Sequence, residues 1–205
     1  MLMVAMVLGV SSVSFAQMQN TDEDNNALDE LDPFSQTIES DLNQMDFQYN
    51  LETGNPVFDL NSLNPFTISD SSCFQLNCHI YAQVIKSTQV IYIYIDGQLT
   101  YTWRVSSGSP GRDTPNLNQH PNGRIYDAYT SKKFPGGDYK GLGNMPYAVF
   151  ISGGIAIHGT SLGNVKKLGQ PVSHGCIRIH PENAKIFNGL VRAAGVSNVW
   201  VSVQN

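Results

Sequence analysis

Apolar and polar positions alternate at period two through HIYAQVIK (79–86), QVIYIYI (89–95) and LTYTWRVSS (99–107), which predicts three half-buried strands. Asp96-Gly97, between the second and third, is a strong hairpin-turn signal, because both residue types accept the positive φ that a two-residue turn demands. The pattern continues in RIYDAYT (124–130), YAVFIS (147–152), the apolar GGIAIHGT (153–160) and the terminal VWVSV (199–203). Between them KKFPGGDYKGLGNMP (132–146) is rich in Pro and Gly and reads as a loop long enough to be functional. One segment changes period. In PENAKIFNGLVRAAG (181–195), Ala184, Phe187, Leu190, Val191 and Ala194 recur near 3.6, Pro181 suits the first turn and Gly195 the end, which predicts a helix. Residues 71–205 are therefore expected to form one domain, mainly β with a late α-helix, large enough for a single core.

The N-terminal third follows neither period. MLMVAMVLGVSSVSFA (1–16) is an apolar run ending in Ser14-Phe15-Ala16, a small-x-small site, and is expected to be a signal peptide cleaved before Gln17, although no Lys or Arg precedes Lys86 to supply a basic leader. It is too short for a permanent membrane span, so a periplasmic or extracytoplasmic location is expected. Residues 17–70 carry twelve of the seventeen acidic residues, no basic ones and few apolar ones, so they are read as a flexible segment that could be removed without loss of the domain. The alternative is a helix in ALDELDPFSQ (27–36) or IESDLNQMDF (38–47) packed on the domain. From residue 71 the balance reverses to a net charge of +7, hidden in the whole-chain value of −5, which suits an anionic substrate or surface. No nucleic-acid partner is expected.

Chemistry concentrates in IHGTSLGNVKKLGQPVSHGCIRIHP (157–181). Cys73 and Cys78 lie close together in CFQLNC and are expected to form a disulfide, which leaves Cys176 as an odd thiol in an exported chain. A thiol attacks a carbonyl as thiolate, and an imidazole that takes its proton raises the reactive fraction; His158 is the candidate base. Gly175 permits backbone angles that turn the amides around Cys176 toward a developing oxyanion, while Ser173 and His174 could brace that backbone or touch substrate. Arg178, two residues past the thiol and on its side of an extended chain, offers a planar fork to a carboxylate.

His158, fourteen intervening residues, and then Ser173-His174-Gly175-Cys176 resemble the signature of the L,D-transpeptidase catalytic domain (YkuD-type) family. The resemblance extends through STQVIYIYIDGQLTYTWRVSSG, MPYAVFISGGIAIHGT and the VWVSV strand, over roughly residues 79–204. Two features depart from it: TPNLNQHPNGRI stretches the interval between Thr114-Pro115 and Gly123, and Arg178 stands where part of the family has Asn. The resemblance implies a β-rich mixed-sheet fold with the thiol between sheet and helix. It also implies attack of Cys176 on a peptidoglycan tetrapeptide stem, with His158 as base steadied by the backbone carbonyl of Gly159, release of terminal D-alanine, and transfer to an amine acceptor or to water. The acceptor would be a second stem, an envelope-protein lysine or a D-amino acid; no cofactor is implied.

Two other readings compete. A zinc hydrolase could use His158, His174, Cys176 and His180, but HGCIRIH lacks the spacing that presents two ligands together and no nearby carboxylate would activate water. A non-catalytic wall-binding module of the same fold would leave the signature unexplained. His79, His120 and His180 have no partner pattern and read as structural, as do Tyr92, Tyr94, Tyr101 and Trp103, which suit sheet packing better than a sugar platform.

Overall fold

The computed structural model describes residues 34–53, 73–131 and 136–205. The expected signal peptide, residues 17–33 and 54–72, and residues 132–135 of the long loop lie outside that set. Among the described residues no helix is long and apolar enough to cross a membrane.

Among the described residues eight strands form two mixed sheets. β1 (Ile80–Ile85), β2 (Val90–Ile95) and β3 (Gln98–Arg104) make an antiparallel meander, to which β8 (Val199–Gln204) adds in parallel on β1 and β4 (Leu117–Gln119) antiparallel on β8, in the order β3-β2-β1-β8-β4. β5 (Val149–Ser152), β6 (Ile155–Gly159) and β7 (Ile177–Ile179) form the second sheet, antiparallel between β5 and β6 and parallel between β6 and β7. The Asp96-Gly97 turn has φ of 49° and 74°, both positive as the sequence required. Tyr94 stacks on Tyr81 and Tyr101 on Trp103, so these aromatics pack along the sheet.

Helix α2 (Pro181–Ala194) forms where the 3.6 period placed it. His180 caps its start by accepting from the Glu182 amide at 3.3 Å, and Gly195 ends it at φ 76°. Its buried side chains Ala184, Phe187 and Val191 join Ile80, Ile93, Ile157, Ile177 and Val201 in one core between the sheets and the helix.

Two expectations change. RIYDAYT is not a regular strand: it bridges β5 at Ile125 and Val149 alone, flanked by backbone bonds to Phe150 and Ala148, and beyond that the Tyr126 carbonyl accepts from the Asn188 side chain of α2 at 3.1 Å. The stretched interval after Pro115 contains β4, which closes the edge of β8. The second change concerns the acidic segment. Over Ile38–Thr53 it is a helix, α1, seated on the domain, as in the alternative reading of 38–47. Leu42 is fully buried and Ile38 nearly so, against Tyr126, Phe150 and Ala156. Arg124, its side chain 15% exposed, donates to Asp46 at 3.0 Å, Glu39 at 3.1 Å and Asn43 at 2.7 Å. Burial opposes the charge of Arg124, but hydrogen bonds and charge from Asp46 and Glu39 hold its pKa above the ordinary value.

Leu42→Ala removes a fully buried side chain and leaves a cavity between α1 and the domain; a loss of about 2–4 kcal/mol is expected in denaturant unfolding. A loss under about 0.5 kcal/mol would mean that α1 contributes no packing.

Candidate functional site

The parallel register of β6 and β7 builds the site. Ile157 pairs with Ile177, His158 with Arg178 and Gly159 with Ile179. Because side chains alternate across a strand, Ile157, Ile177 and Ile179 face the core while His158, Arg178 and, two residues before it, Cys176 share the opposite face. The eighteen-residue separation of His158 and Cys176 is thus the length of one crossover between neighbouring parallel strands. A 3-10 turn at Leu162–Lys167 lies within that crossover.

On that face is a cavity of about 390 Å³, lined by His158, Cys176, His174 and Arg178 together with Ser131, Asn144, Met145, Thr160 and Lys167. It falls in the range of small-ligand pockets. Four of the residues singled out from sequence therefore converge on one cleft. Of the residues that sequence reasoning did not name, Asn144 and Met145 arrive from the loop that was expected to be functional and Ser131 stands just before it, but nothing in that loop's pattern marked which positions turn inward.

His158 is buried, and its Nδ1 lies 2.8 Å from the Gly159 carbonyl. A carbonyl can only accept, so Nδ1 carries the hydrogen and Nε2 is left as the basic atom. Gly159 is required by close approach: a Cβ there would sit 2.9 Å from both Pro146 and Pro181. Burial first, and then the positive charge of Arg178, lower the His158 pKa from 6.5 to about 3, against the opposing hydrogen bond to Gly159. The ring is therefore neutral at neutral pH, with a lone pair available to a thiol proton.

Cys176 is the free cysteine; Cys73 and Cys78 are joined by a disulfide with Cα atoms 4.8 Å apart, around a turn at Gln75–Asn77. The Cys176 thiol donates to the Gly154 carbonyl at 3.3 Å, a backbone partner that no side-chain pattern could signal. The turn before it is braced from several sides. Gly175 has φ 125°, its amide donates to Ser173 Oγ at 3.1 Å and its carbonyl accepts from Thr114 Oγ1 at 2.7 Å, while Ser173 Oγ donates to the Cys176 carbonyl at 2.5 Å. β7 is held on its other side by Ser106, whose amide and carbonyl exchange bonds with Arg178 at 2.8 and 2.9 Å. Ser173 and Gly175 thus act on the backbone, and Thr114 joins them. Half-buried Arg178 is close to His174, with Nη2 3.5 Å from its Nδ1; burial lowers the Arg178 pKa and the charge of Cys176 opposes that.

The other histidines have separate tasks. His79 pairs with Asp96 at 2.7 Å, His120 lies 2.6 Å from the Val199 carbonyl and edge-on to Trp200, and His180 caps α2. Among the described residues no group of three or more His, Cys, Asp or Glu side chains has the arrangement of a metal site.

Residues 79–200 match the L,D-transpeptidase catalytic domain family, and the chain belongs to it. Similar solved structures include L,D-transpeptidase 3 from Mycobacterium tuberculosis, at 19% identity over 63% of this chain and 62% of that one with a TM-score of 0.50. The same enzyme in complex with a faropenem-derived adduct matches at 20% identity, 63% and 61% coverage and a TM-score of 0.50. An L,D-transpeptidase from Stackebrandtia nassauensis matches at 19% identity, 67% and 60% coverage and a TM-score of 0.50. The chain spans about three fifths of the length of each, and at these identities the likeness is one of fold. No curated protein matches it.

Because His158 is held neutral, the unfolded chain binds a proton that the folded chain refuses between pH 6.5 and about 3. Stability is accordingly full above the upper value and is lost as pH falls through the window, by up to ~1.4 kcal/mol per pH unit. His158→Gln should flatten the acid limb of a melting-temperature against pH profile; an unchanged limb would show that His158 is not buried as a neutral ring.

Proposed function

We propose that this chain is a cysteine-dependent L,D-transpeptidase that acts on peptidoglycan tetrapeptide stems, exported by a signal peptide over residues 1–16 to a periplasmic or extracytoplasmic location. The observation that carries the reading is the free thiol of Cys176 in the same cleft as a buried His158 whose Nδ1 is committed to Gly159. Family membership supplies the reaction class.

His158 Nε2 takes the thiol proton as Sγ attacks the carbonyl carbon of the amide that follows the L-centre of the stem's diamino acid. The C–S bond forms and the carbonyl oxygen takes the electron pair as an oxyanion beside the braced turn at Gly175-Cys176, where the Gly175 amide is already given to Ser173 Oγ. A neutral base suits this step. With a pKa of about 3, His158 holds no resting imidazolium, and Arg178 favours the anionic sulfur. Collapse of the oxyanion breaks the C–N bond, protonated His158 gives its proton to the departing nitrogen, and D-alanine leaves. The thioester is then attacked by the amine of an acceptor (a second stem, a lysine of an envelope protein or a D-amino acid), with His158 again receiving the proton; the C–S bond breaks and His158 returns the proton to the departing Cys176 sulfur. Attack by water in place of the amine gives carboxypeptidase activity. Arg178 binds a free carboxylate of the donor stem while the scissile amide lies over Cys176. No cofactor enters the scheme.

Incubation with a purified tetrapeptide stem, with products identified by mass, tests the assignment. Loss of D-alanine and a new cross-linked or hydrolysed product are expected; neither product with either acceptor would reject it. Cys176→Ala should abolish turnover with the thermal transition within a few degrees of native, and retained turnover would end the cysteine mechanism. Arg178→Lys should lower kcat/KM about ten- to a hundredfold, since a point charge cannot replace the planar fork. Unchanged kcat/KM would move the carboxylate site elsewhere.

A further inference from the structure

Helix α1 reaches the candidate nucleophile through two independent contacts. The first is the junction in which Asp46 accepts from both Arg124 and Tyr126, the same tyrosine that meets Phe150 edge-to-face on the floor of buried side chains over which α1 lies. Cys176 packs against that floor. The second runs through the turn between β5 and β6. Ile38 and Glu39 of α1 face Gly153, where an added Cβ would lie 3.8 and 3.9 Å from them, and the next residue, Gly154, supplies the carbonyl that receives the thiol at 3.3 Å. Among the described side chains none of α1 lines the cavity itself.

We propose that α1 is a positioning element for Cys176: the Asp46–Arg124–Tyr126 junction clamps the floor and the Gly153-Gly154 turn on which the thiol rests, so that the acidic segment governs the rate of acylation rather than the tightness of substrate binding. The physical reason is the state of Arg124. Its side chain is largely buried, and its own carbonyl accepts the Phe150 amide at 3.0 Å. A guanidinium so placed is stable only with its acceptors; without the charge of Asp46, the less exposed of its two carboxylates, it is left to the exposed Glu39 and shifts outward, drawing residues 124–126 and Phe150 with it. A displacement of that floor is transmitted to Sγ because the interior is close-packed. Since α1 stands outside the cavity, substrate contacts are untouched.

The test uses the full chain with Asp46→Asn, which keeps the side-chain volume and removes the charge, and Asp46→Glu, which keeps the charge. Two quantities are measured: kcat and KM on the tetrapeptide stem, and the labelling rate of Cys176 by iodoacetamide, which needs no substrate. For Asp46→Asn, kcat and labelling should each fall about tenfold while KM stays within about twofold, and Asp46→Glu should retain most of both. A folded Asp46→Asn protein with both rates within about twofold of native, or with the loss carried by KM, overturns the proposal. Leu42→Ala should act in the same direction; if it does not fold, Asp46→Asn, which leaves the seat of Leu42 filled, decides alone. The proposal rests on Cys176 as nucleophile, and the two fail differently. Turnover surviving in Cys176→Ala ends that assignment, whereas cysteine-dependent turnover indifferent to Asp46 ends this one alone.

Discussion

The pairing of β6 with β7 is the constraint on which the site depends. Two adjacent parallel strands put His158 level with Arg178, and the alternation of faces then fixes the rest: three isoleucines go to the core, and imidazole, thiol and guanidinium go to the cleft. A slip of one residue would exchange the two sets, placing charge in the core and isoleucine in the cleft. The register is therefore secured by burial of Ile157, Ile177 and Ile179. It is also held from outside, because Ser106 pairs with Arg178 and Thr114 bonds the Gly175 carbonyl, so the strand that carries the thiol has partners on both edges.

Electrostatics within the cleft follow from the same placement. Burial and the neighbouring Arg178 cation keep His158 uncharged, and the Gly159 carbonyl decides which nitrogen is basic. The same positive side chain interacts favourably with negative charge on the neighbouring Cys176 sulfur. Outside the cleft the charge arrangement is reversed: Arg124 is a buried cation held by acidic side chains of α1. The acidic N-terminal composition thus has a local use in neutralising one guanidinium of a basic domain.

What could be read from the sequence was local or carried by a signature. The Asp96-Gly97 turn, the meander around it and α2 with its Pro181 and Gly195 ends depend on residues near one another in the chain, and each is where its pattern placed it. Residues 158 and 173–176 were legible because their spacing encodes a crossover. The docking of α1 was legible only as the alternative of a helix over 38–47 packed on the domain, since its seat needs an arginine seventy-eight residues away from Asp46. β4 was hidden by its three-residue length; it is a strand because the edge of β8 offers it partners. RIYDAYT had a strand's alternation, but the Asn188 side chain of α2 takes the Tyr126 carbonyl. The Gly154 carbonyl beside the thiol is backbone, and a residue pattern carries no record of it.

The central claim is that sulfur at position 176 carries the acyl group. Intact-mass analysis of the protein quenched in acid within its first turnover on a tetrapeptide stem, followed by peptide mapping, tests this most directly. The mass should rise by that of the stem less D-alanine, with the adduct on the peptide containing Cys176 and released by hydroxylamine as a thioester should be. Product formed with no adduct at any time, or an adduct mapped to another residue, would contradict it.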